Sequence, residues 1–453
     1  MKNENLCRTP RSIRGLRVSN LIIAGAMVFL AAAQSQLYAQ STAVQFVPFA
    51  NFMEGTQSAS FSEYAGLPGI QVTDAGAFEE MRQHILTMYQ GVNVQHSFVQ
   101  GQQHFDCVPM GQQPSVRLLG LSSVAAPPPV SAIAHNAPAA GAINVTSQTA
   151  AQAVDQFGNA MGCAEGSIPM RRITLTEMTR FPTLQRFFSK SPDGSVDGVP
   201  AGAANPSSTA HKYSYTYQYV TNLGGNSSLN LWKPNVNTGL GEVFSLSQQW
   251  YVGGSGSSTQ TAEVGWQNYP SKYGSENSAL FIYWTRDDYN KTGCYNLDCA
   301  GFVQTNSSWH FGGGFSNYST FGGSQYEFAA QYYLSGGNWW LALGGAWVGY
   351  YPGSIYSGGQ MAHSAQLIEY GTESVGSTWY PPEGSGDWSS LGWEYAAYQR
   401  NLFYINTSSG SVWDTLTPAQ PSPACYSITG PYYSSSSGWG IYFYEGGPGG
   451  TGC

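Results

Sequence analysis

Short runs in which apolar and polar residues alternate fill the chain from about residue 213 onward. The runs are separated by Gly, Asn and Ser, and none of them keeps a helical period over any length. Period-two alternation rich in aromatic and β-branched residues predicts strands. The predicted strands cover residues 229–232, 243–252, 259–267, 280–285, 325–334 and 339–351. Regular strand–turn spacing of this kind predicts a mainly β domain, built as an antiparallel two-sheet β-sandwich of the jelly-roll or concanavalin-like kind.

The N-terminal part of the chain has a different pattern. Asp74 precedes apolar residues spaced three or four apart from Phe78 to Met88, which predicts a capped helix. Thr174 and Glu177 fit the capping box of a short second helix. Residues 191–210 are rich in Ser, Gly, Pro and Ala and predict a linker. We therefore expect a smaller mixed region over residues 40–190 and the β domain over residues 211–453.

The first residues fit a signal peptide over residues 1–39. Basic residues precede the apolar run 21–33, and Ala39 offers a small residue for cleavage. That run is too short for a membrane span of roughly 20 residues. We expect a secreted protein, extracellular or periplasmic if the host is bacterial, with no membrane segment after cleavage.

Cysteine usage agrees with secretion. Cys7 lies in the expected signal peptide, and its removal leaves an even number of cysteines. Proximity in sequence favours the pair Cys294–Cys299, and the two C-terminal cysteines suggest Cys425–Cys453. Elimination then leaves Cys107–Cys163, both members of which lie in the N-terminal region.

Composition excludes some classes of function. Charged residues make up only 10% of the chain and aromatic residues 14%, unlike a disordered protein. A net charge of −8 and the lack of a basic stripe argue against nucleic-acid binding. Lys and Arg are scarce beyond residue 209, which fits a protein that works in acid and equally fits any Ser/Thr/Asn/Gly-covered secreted protein.

Common catalytic motifs are missing from the predicted β domain. The sequence has no HExxH zinc motif and no GxSxG nucleophile elbow, and its cysteines are expected in disulfides. We expect neither a metal nor a cofactor, and carboxylate chemistry remains.

Glu263 is the first candidate acid. It lies in the strand-like run 259–267, where alternation points it away from the apolar residues Ala262, Val264 and Trp266. The pattern alone favours an exposed glutamate on the solvent face of a sheet. Glu369 and Glu373 share one face of a later run, and alternation does not choose between them as a partner.

A basic segment precedes the linker. Residues 168–190 carry Arg171, Arg172, Arg180, Arg186 and Lys190 against the single acid Glu177. For an isolated run of this kind a solvated charged face is the favoured interpretation.

Long ordered motifs resemble the neprosin family of secreted glutamic peptidases over residues 212–453. They include FSLSQ (244–248), EVGW (263–266), FIYWT (281–285), TGCYNL (292–297), GNWWL (337–341) and YQRN (398–401). FDCV (105–108) and the run from Cys163 to Arg172 are similar to the two cysteine landmarks of the family's prodomain.

The resemblance implies a fold and an activity. It implies an acid-active endopeptidase that cuts on the C-terminal side of proline, made as a zymogen with residues 40–190 as an inhibitory prodomain. The family's motifs align its catalytic acids with Glu263 and Glu373. We expect protein or peptide substrates and a monomer. The basic segment would dock on the acidic catalytic domain, and acid would weaken that docking by protonating carboxylates.

Several details follow from this interpretation. Gln248 and Tyr283 are candidates for oxyanion stabilisation, and Trp266 and Trp284 for the lining of a proline pocket. Pro192, Pro200 and Pro206 make the linker a predicted site of self-cleavage in acid.

The chain departs from the family motifs at Val264, Tyr370 and Thr372, which puts substrate preference in doubt. Two other functions remain open: a non-catalytic β-sandwich module that binds glycans or cell walls, and a two-carboxylate glycosidase.

Overall fold

The computed structural model describes residues 44–133, 154–190, 211–435 and 439–453. The predicted signal peptide, the predicted linker and its three prolines lie outside these residues. Phe46–Cys453 form one compact unit, and the unit Met1–Gln45 is described only at its last two residues. In the described residues, no helix has the length and apolar character that a membrane span requires.

The N-terminal region (the described residues between 46 and 190) is mixed, as expected. Asp74 accepts a hydrogen bond from the Ala77 N–H at the start of the long predicted helix, and Thr174 and Glu177 form the predicted capping box. Its helices are α1 (Phe49–Ser58), α2 (Phe61–Tyr64), α3 (Ala75–Tyr89), α4 (Pro114–Leu118), α5 (Leu175–Met178) and α6 (Leu184–Phe188).

A small antiparallel sheet completes this region. It has the order β1 (Ser97–Gln100), β2 (Gln103–Pro109) and β3 (Ser167–Arg171). The predicted disulfide Cys107–Cys163 ties β2 to the segment that leads into β3. The basic segment is therefore anchored at its start by a strand and a covalent bond.

The sandwich region (the described residues from 211 onward) is mainly β, and the fold-class prediction is confirmed. It also contains the short helix α7 (Pro270–Tyr273). Its strands are β4 (His211–Asn222), β5 (Gly224–Asn230), β6 (Glu242–Gly253), β7 (Gln260–Asn268), β8 (Ala279–Thr285), β9 (Cys294–Tyr295), β10 (Val303–Gln304), β11 (Glu327–Ser335), β12 (Asn338–Leu343), β13 (Ala346–Pro352), β14 (Ala365–Gly376), β15 (Ala397–Ile405), β16 (Ser411–Trp413), β17 (Thr417–Ala419), β18 (Ser427–Ser434) and β19 (Gly440–Gly446).

Two antiparallel sheets are built from these strands in the described part of the chain. One has seven strands in the order β17-β4-β14-β6-β7-β8-β9. The other has nine, in the order β10-β13-β12-β11-β5-β15-β19-β18 with β16 beside β15. Trp266 on β7 donates from Nε1 to the Asn230 carbonyl on β5, so the inner faces of the two sheets meet there. Aromatic and aliphatic side chains of both sheets form one buried cluster.

Two predicted strands differ from the structure. The run 339–351 is a hairpin, because Gly344 and Gly345 adopt φ angles of 56° and 85° and turn the chain between β12 and β13. The run 229–232 is only the end of β5, which begins earlier at Gly224 and ends at Asn230. Its remaining residues, Leu231 and Trp232, are buried beyond the strand.

The other two predicted disulfides are also present. Cys294–Cys299 closes a short loop beside β9, and Cys425–Cys453 holds the C-terminus. Disulfides form and persist in oxidising compartments, so the cysteine pairs fit a protein exported from the cytosol.

Candidate active site

The centre of the seven-stranded sheet holds the two glutamates that the sequence singled out. Glu263 lies on β7 and Glu373 on β14, with β6 between them. Alternation along the strands puts both on the outer face of this sheet, opposite the face that packs on the nine-stranded sheet. Their exposed fractions are 0% and 1%, so the expectation of an exposed Glu263 is wrong. A strand pattern gives the direction of a side chain but not what covers it.

Lys190 covers them. Its Nζ lies 2.7 Å from Glu263 Oε2 and 2.9 Å from Glu373 Oε2. One ammonium group therefore bridges two carboxylates that are far apart in sequence. Lys190 is also the last described residue before the predicted linker. The final residue of the N-terminal region is thus inserted between the two candidate catalytic acids.

Aromatic rings surround the bridging ammonium. Its Nζ lies 5.6 Å from the ring centre of Trp250, 5.9 Å from that of Phe281 and 5.8 Å from that of Tyr283. Tyr283 also forms a hydrogen bond with the backbone of Lys190. These contacts compensate part of the desolvation of a fully buried lysine.

The two glutamates have different partners on their second oxygens. Glu263 Oε1 accepts hydrogen bonds from the hydroxyls of Thr261, at 2.8 Å, and Tyr289, at 2.7 Å. Glu373 Oε1 lies 2.7 Å from His211 Nδ1. Glu263 thus has neutral hydroxyl donors, whereas Glu373 has the imidazole of His211, which lowers the pKa of Glu373.

These partners set the charge of the site. Burial raises the pKa of Glu373, but Lys190 and the hydrogen bond from His211 outweigh burial and bring the pKa below its ordinary value. Burial lowers the pKa of Lys190, and the two glutamates raise it above its ordinary value. Burial and the nearby Glu263 raise the pKa of Tyr289 well above its ordinary value, so its hydroxyl keeps its proton. Lys190 and Glu373 are accordingly both charged near neutral pH.

The sequence-predicted binding residues divide between the two faces of the sheet. Gln248 donates from Nε2 to Glu373 Oε2 at 3.2 Å, and Tyr283 lies opposite Glu263 in the strand register. Trp266 is buried between the sheets, and Trp284 packs on Tyr356 away from the glutamates. The structure therefore brings Gln248 and Tyr283 to the glutamates, and it does not bring Trp266 and Trp284 there.

Three departures from the family motifs lie on the opposite side of the sheet from the glutamates. Val264 follows Glu263 and is buried in the core cluster, and Tyr370 donates to Asp414 at 2.9 Å. Thr372 precedes Glu373 and bonds to the hydroxyl of Ser214 at 2.7 Å. Residues at odd spacing from a strand residue face the other way, so these three side chains face away from the glutamates.

Glu369 does not take part in the bridge. It shares its face with Glu373, as expected, but the charge of Glu369 acts on Tyr215 and Tyr219 farther along the sheet. The ion pairs of Lys190 are with Glu263 and Glu373.

The basic segment is not a solvated face, and that interpretation is wrong for most of its charges. Arg172 forms a buried ion pair with Asp106 inside the N-terminal region. Arg171 bonds to Glu177 at 2.7 Å and lies 3.9 Å from Asp298 of the sandwich region. Lys190 is the member of the segment that reaches the glutamates.

Sequence reasoning missed His211 and Tyr289. His211 is one of three well-separated histidines in the predicted β domain, and nothing in its sequence neighbourhood marks it. Tyr289 follows the strand β8 in a turn where it adopts a φ of 60°, a conformation that is rare for a tyrosine and invisible in the sequence. Among the described residues, no group of three or more His, Cys, Asp or Glu side chains is arranged to hold a metal ion.

The fold and site define a β-sandwich with a buried pair of glutamates at its centre. Residues 241–448 match the model of the family described as Neprosin, which confirms the resemblance seen in the motifs. Both glutamates lie within the matched residues. The match supports a peptidase for this part of the chain.

Two solved structures are also similar to the chain at low level. They are those of scytalido-glutamic peptidase with a transition state analog inhibitor and with a peptide based transition state analog. Each has 10% sequence identity and a TM-score of 0.27, and the alignments cover 52% of this chain and 98% and 97% of the other chains. At this level the likeness carries no weight for the site.

Proposed function

We propose that the chain is a secreted glutamic endopeptidase made as a zymogen, in which Glu263 and Glu373 activate water and Lys190 blocks them until acid releases it. The observation that carries the proposal is the bridge from Lys190 Nζ to both carboxylates, at 2.7 and 2.9 Å. The ammonium group of Lys190 occupies the position between the two carboxylates that a reacting water and a peptide carbonyl would need.

The unequal partners of the glutamates assign their roles. The hydrogen bond and the charge interaction with His211 lower the pKa of Glu373, which favours the ionised form of that carboxyl. We assign the general acid to Glu263, whose second oxygen has only neutral hydroxyl donors. Glu373 takes a proton from water, whose oxygen attacks the peptide carbonyl carbon. Glu263 gives its proton to the carbonyl oxygen, and Gln248 and Tyr283 are placed to donate to that oxygen as it gains charge.

The next step returns the site to its starting state. The proton on Glu373 passes to the amide nitrogen as the carbon–nitrogen bond breaks. The carbonyl re-forms as the proton of the intermediate returns to Glu263. The products are one carboxylic acid and one amine, with water consumed and no cofactor required by the balance.

The pKa directions give the pH at which the block opens. The pKa of Glu373 is below its ordinary value while Lys190 is bound, so the ion pair is intact above that value and is lost as the pH falls through it. A free glutamate has a pKa of about 4.3, and the pH of release lies below that value. The pKa of Lys190 is raised, so the lysine keeps its charge throughout this range. Acid thus weakens the block through the carboxylates.

Self-cleavage in the linker fits the same geometry. Lys190 and His211, the described residues on either side of the linker, both contact Glu373. The described residues that flank the linker in sequence thus both lie at Glu373, and the prolines of the linker match the cleavage preference that the family resemblance implies. The departures at Tyr370 and Thr372 face away from the glutamates.

Hydrolysis assays test the proposal. The purified full chain is incubated with casein and with proline-containing peptides from about pH 2 to about pH 7, beside Glu263→Gln and Glu373→Gln. We expect cleavage after proline by the wild type in acid and a loss of about 10² to 10⁴ in rate for each variant. Binding of polysaccharide without proteolysis at any pH would favour the glycan-binding alternative. Cleavage of glycosides would favour the glycosidase.

A further inference from the structure

A second side chain of the N-terminal region is buried against the sandwich region, three residues before Lys190. Phe187 has no exposed surface, whereas its neighbour Phe188 is half-buried and packs on His84 of the N-terminal region. The ring centre of Phe187 lies 3.7 Å from Lys272 Nζ, and its carbonyl oxygen accepts a hydrogen bond of 3.0 Å from the same atom. The chain from Phe187 to Lys190 therefore runs from Lys272 to the two glutamates.

Lys272 is held in place by the sandwich region itself. It lies on α7, is fully buried, and its Nζ is 3.0 Å from Asp298 Oδ2 and 4.6 Å from the ring centre of Tyr295. Burial lowers the pKa of Lys272 to about 8, so the side chain stays cationic in neutral and acidic solution. Lys272, Asp298 and Tyr295 all remain with the glutamates when the N-terminal region leaves.

Departure of the N-terminal region changes what Lys272 contacts. Its ammonium loses a carbonyl acceptor and the face of an aromatic ring, while the Asp298 and Tyr295 contacts persist. An extended peptide with an aromatic residue at the same place supplies both lost contacts, because a ring attracts a cation through its face and a backbone carbonyl accepts a hydrogen bond.

We propose that Lys272 forms a substrate subsite that binds the backbone carbonyl and the aromatic side chain of the residue three positions N-terminal to the residue held at the glutamates. The subsite rests on the proposed peptidase function, and it adds a preference that proline does not explain. The substrates are polypeptides that carry Phe, Tyr or Trp at this position and that run in the same direction as residues 187–190.

A positional scan tests the subsite with the full chain in acid. Each peptide contains one proline cleavage site and one Phe, which is moved through the positions on both sides of the proline in an otherwise Ala/Ser background. The ratio of kcat/KM for each Phe peptide to that of the peptide without Phe is measured in the same enzyme sample. This ratio does not depend on how much of the enzyme is folded or released from its N-terminal region.

We expect a ratio of about ten at the position three residues N-terminal to the cleaved residue. Lys272→Met keeps most of the apolar stem and removes the charge, so it should bring this ratio near one. Lys233→Met, a control at an exposed lysine, should leave the ratio unchanged.

Two results would overturn the subsite: equal hydrolysis of all peptides by the wild type, or a Phe preference that survives in Lys272→Met. Either leaves the peptidase proposal intact, since the peptides are still cut. Failure to cut any peptide would instead count against the proposed function itself.

Discussion

Two groups of buried carboxyls lie on opposite faces of the seven-stranded sheet. On the outer face, Glu373 is paired with Lys190 and His211. On the inner face, Glu383 accepts hydrogen bonds from Ser214 and Thr372, and Glu445 accepts one from Ser247 at 2.6 Å. Among the described residues, neither Glu383 nor Glu445 forms an ion pair, and each keeps one oxygen without a hydrogen-bond partner.

The pKa values of the two groups move in opposite directions. Burial raises the pKa of Glu383 well above its ordinary value and that of Glu445 to about 8. Asp414, which accepts from Tyr370 on the same side, has its pKa raised by burial to about 8. Burial acts on Glu373 in the same sense, but its cationic partners bring the pKa below the ordinary value. Equal burial therefore leaves Glu383 and Glu445 neutral on the inner face and Glu373 charged on the outer face.

The two groups should differ most in peptidase activity when one glutamate of each group is changed to glutamine. Glu373→Gln should lower peptidase activity by about 10² to 10⁴, because it removes the proposed general base. Glu383→Gln imitates a carboxyl that is already neutral and should keep activity within about threefold. Initial rates on a proline-containing peptide in acid measure both. Similar losses of activity in the two variants would contradict a functional difference between the two faces.

The free energy of unfolding should depend on pH through the buried carboxyls of the inner face. The folded-state pKa of Glu445 is above its unfolded-state value, so folding retains a proton that unfolding releases. The free energy of unfolding should fall as the pH rises from the ordinary glutamate pKa towards about 8, by up to about 1.4 kcal/mol per pH unit per group. Urea unfolding of the full chain at several pH values measures this slope.

The variant Glu445→Gln provides the control for that slope. It cannot ionise, so its free energy of unfolding should decline less steeply over the same pH range than that of the wild type. An unchanged slope would assign the pH dependence to other groups and would contradict a neutral Glu445.

A smaller effect is expected for His211, which acts through Glu373. His211 lowers the pKa of Glu373 through a hydrogen bond and a charge interaction. His211→Gln keeps only a neutral hydrogen-bond donor, so the pKa of Glu373 should rise in the released enzyme. The acid limb of the kcat/KM profile should move to higher pH, with a loss of about tenfold on its acid side. A uniform loss at every pH would indicate a structural role instead.

The outcome of sequence analysis differs between the two faces for a physical reason. Period-two alternation correctly oriented Glu263 away from Val264 and Trp266, because strand geometry is local. It failed on burial, since the outer face is covered by a segment more than seventy positions upstream of Glu263 in the sequence. The linking residue Lys190 was predicted only as part of a basic segment. Its exact partners depend on tertiary packing that no local pattern contains.

The predicted binding residues also differ in how well the sequence located them. Gln248 and Tyr283 were predicted only as polar candidates for oxyanion stabilisation, and in the structure they lie beside Glu373 and Glu263. Trp266 and Trp284 were chosen as large aromatic residues next to the motif, but alternation sends them to the other face of the sheet. The strand period alone excludes Trp266, three positions from Glu263, whereas excluding Trp284 requires the register in which it lies opposite Ala262.

The central claim is that Lys190 holds Glu263 and Glu373 inactive, and one measurement tests it directly. Peptidase activity of the full chain is measured from neutral pH downwards, without earlier acid treatment, for the wild type and for Lys190→Met. Arg82→Met serves as a control, since Arg82 belongs to a partly exposed ion pair with Glu79 of the same region. The account predicts that Lys190→Met begins to cut proline-containing peptides at a higher pH than the wild type, and that the control begins at the same pH as the wild type. A Lys190→Met variant whose activity begins at the same pH as that of the wild type would contradict it.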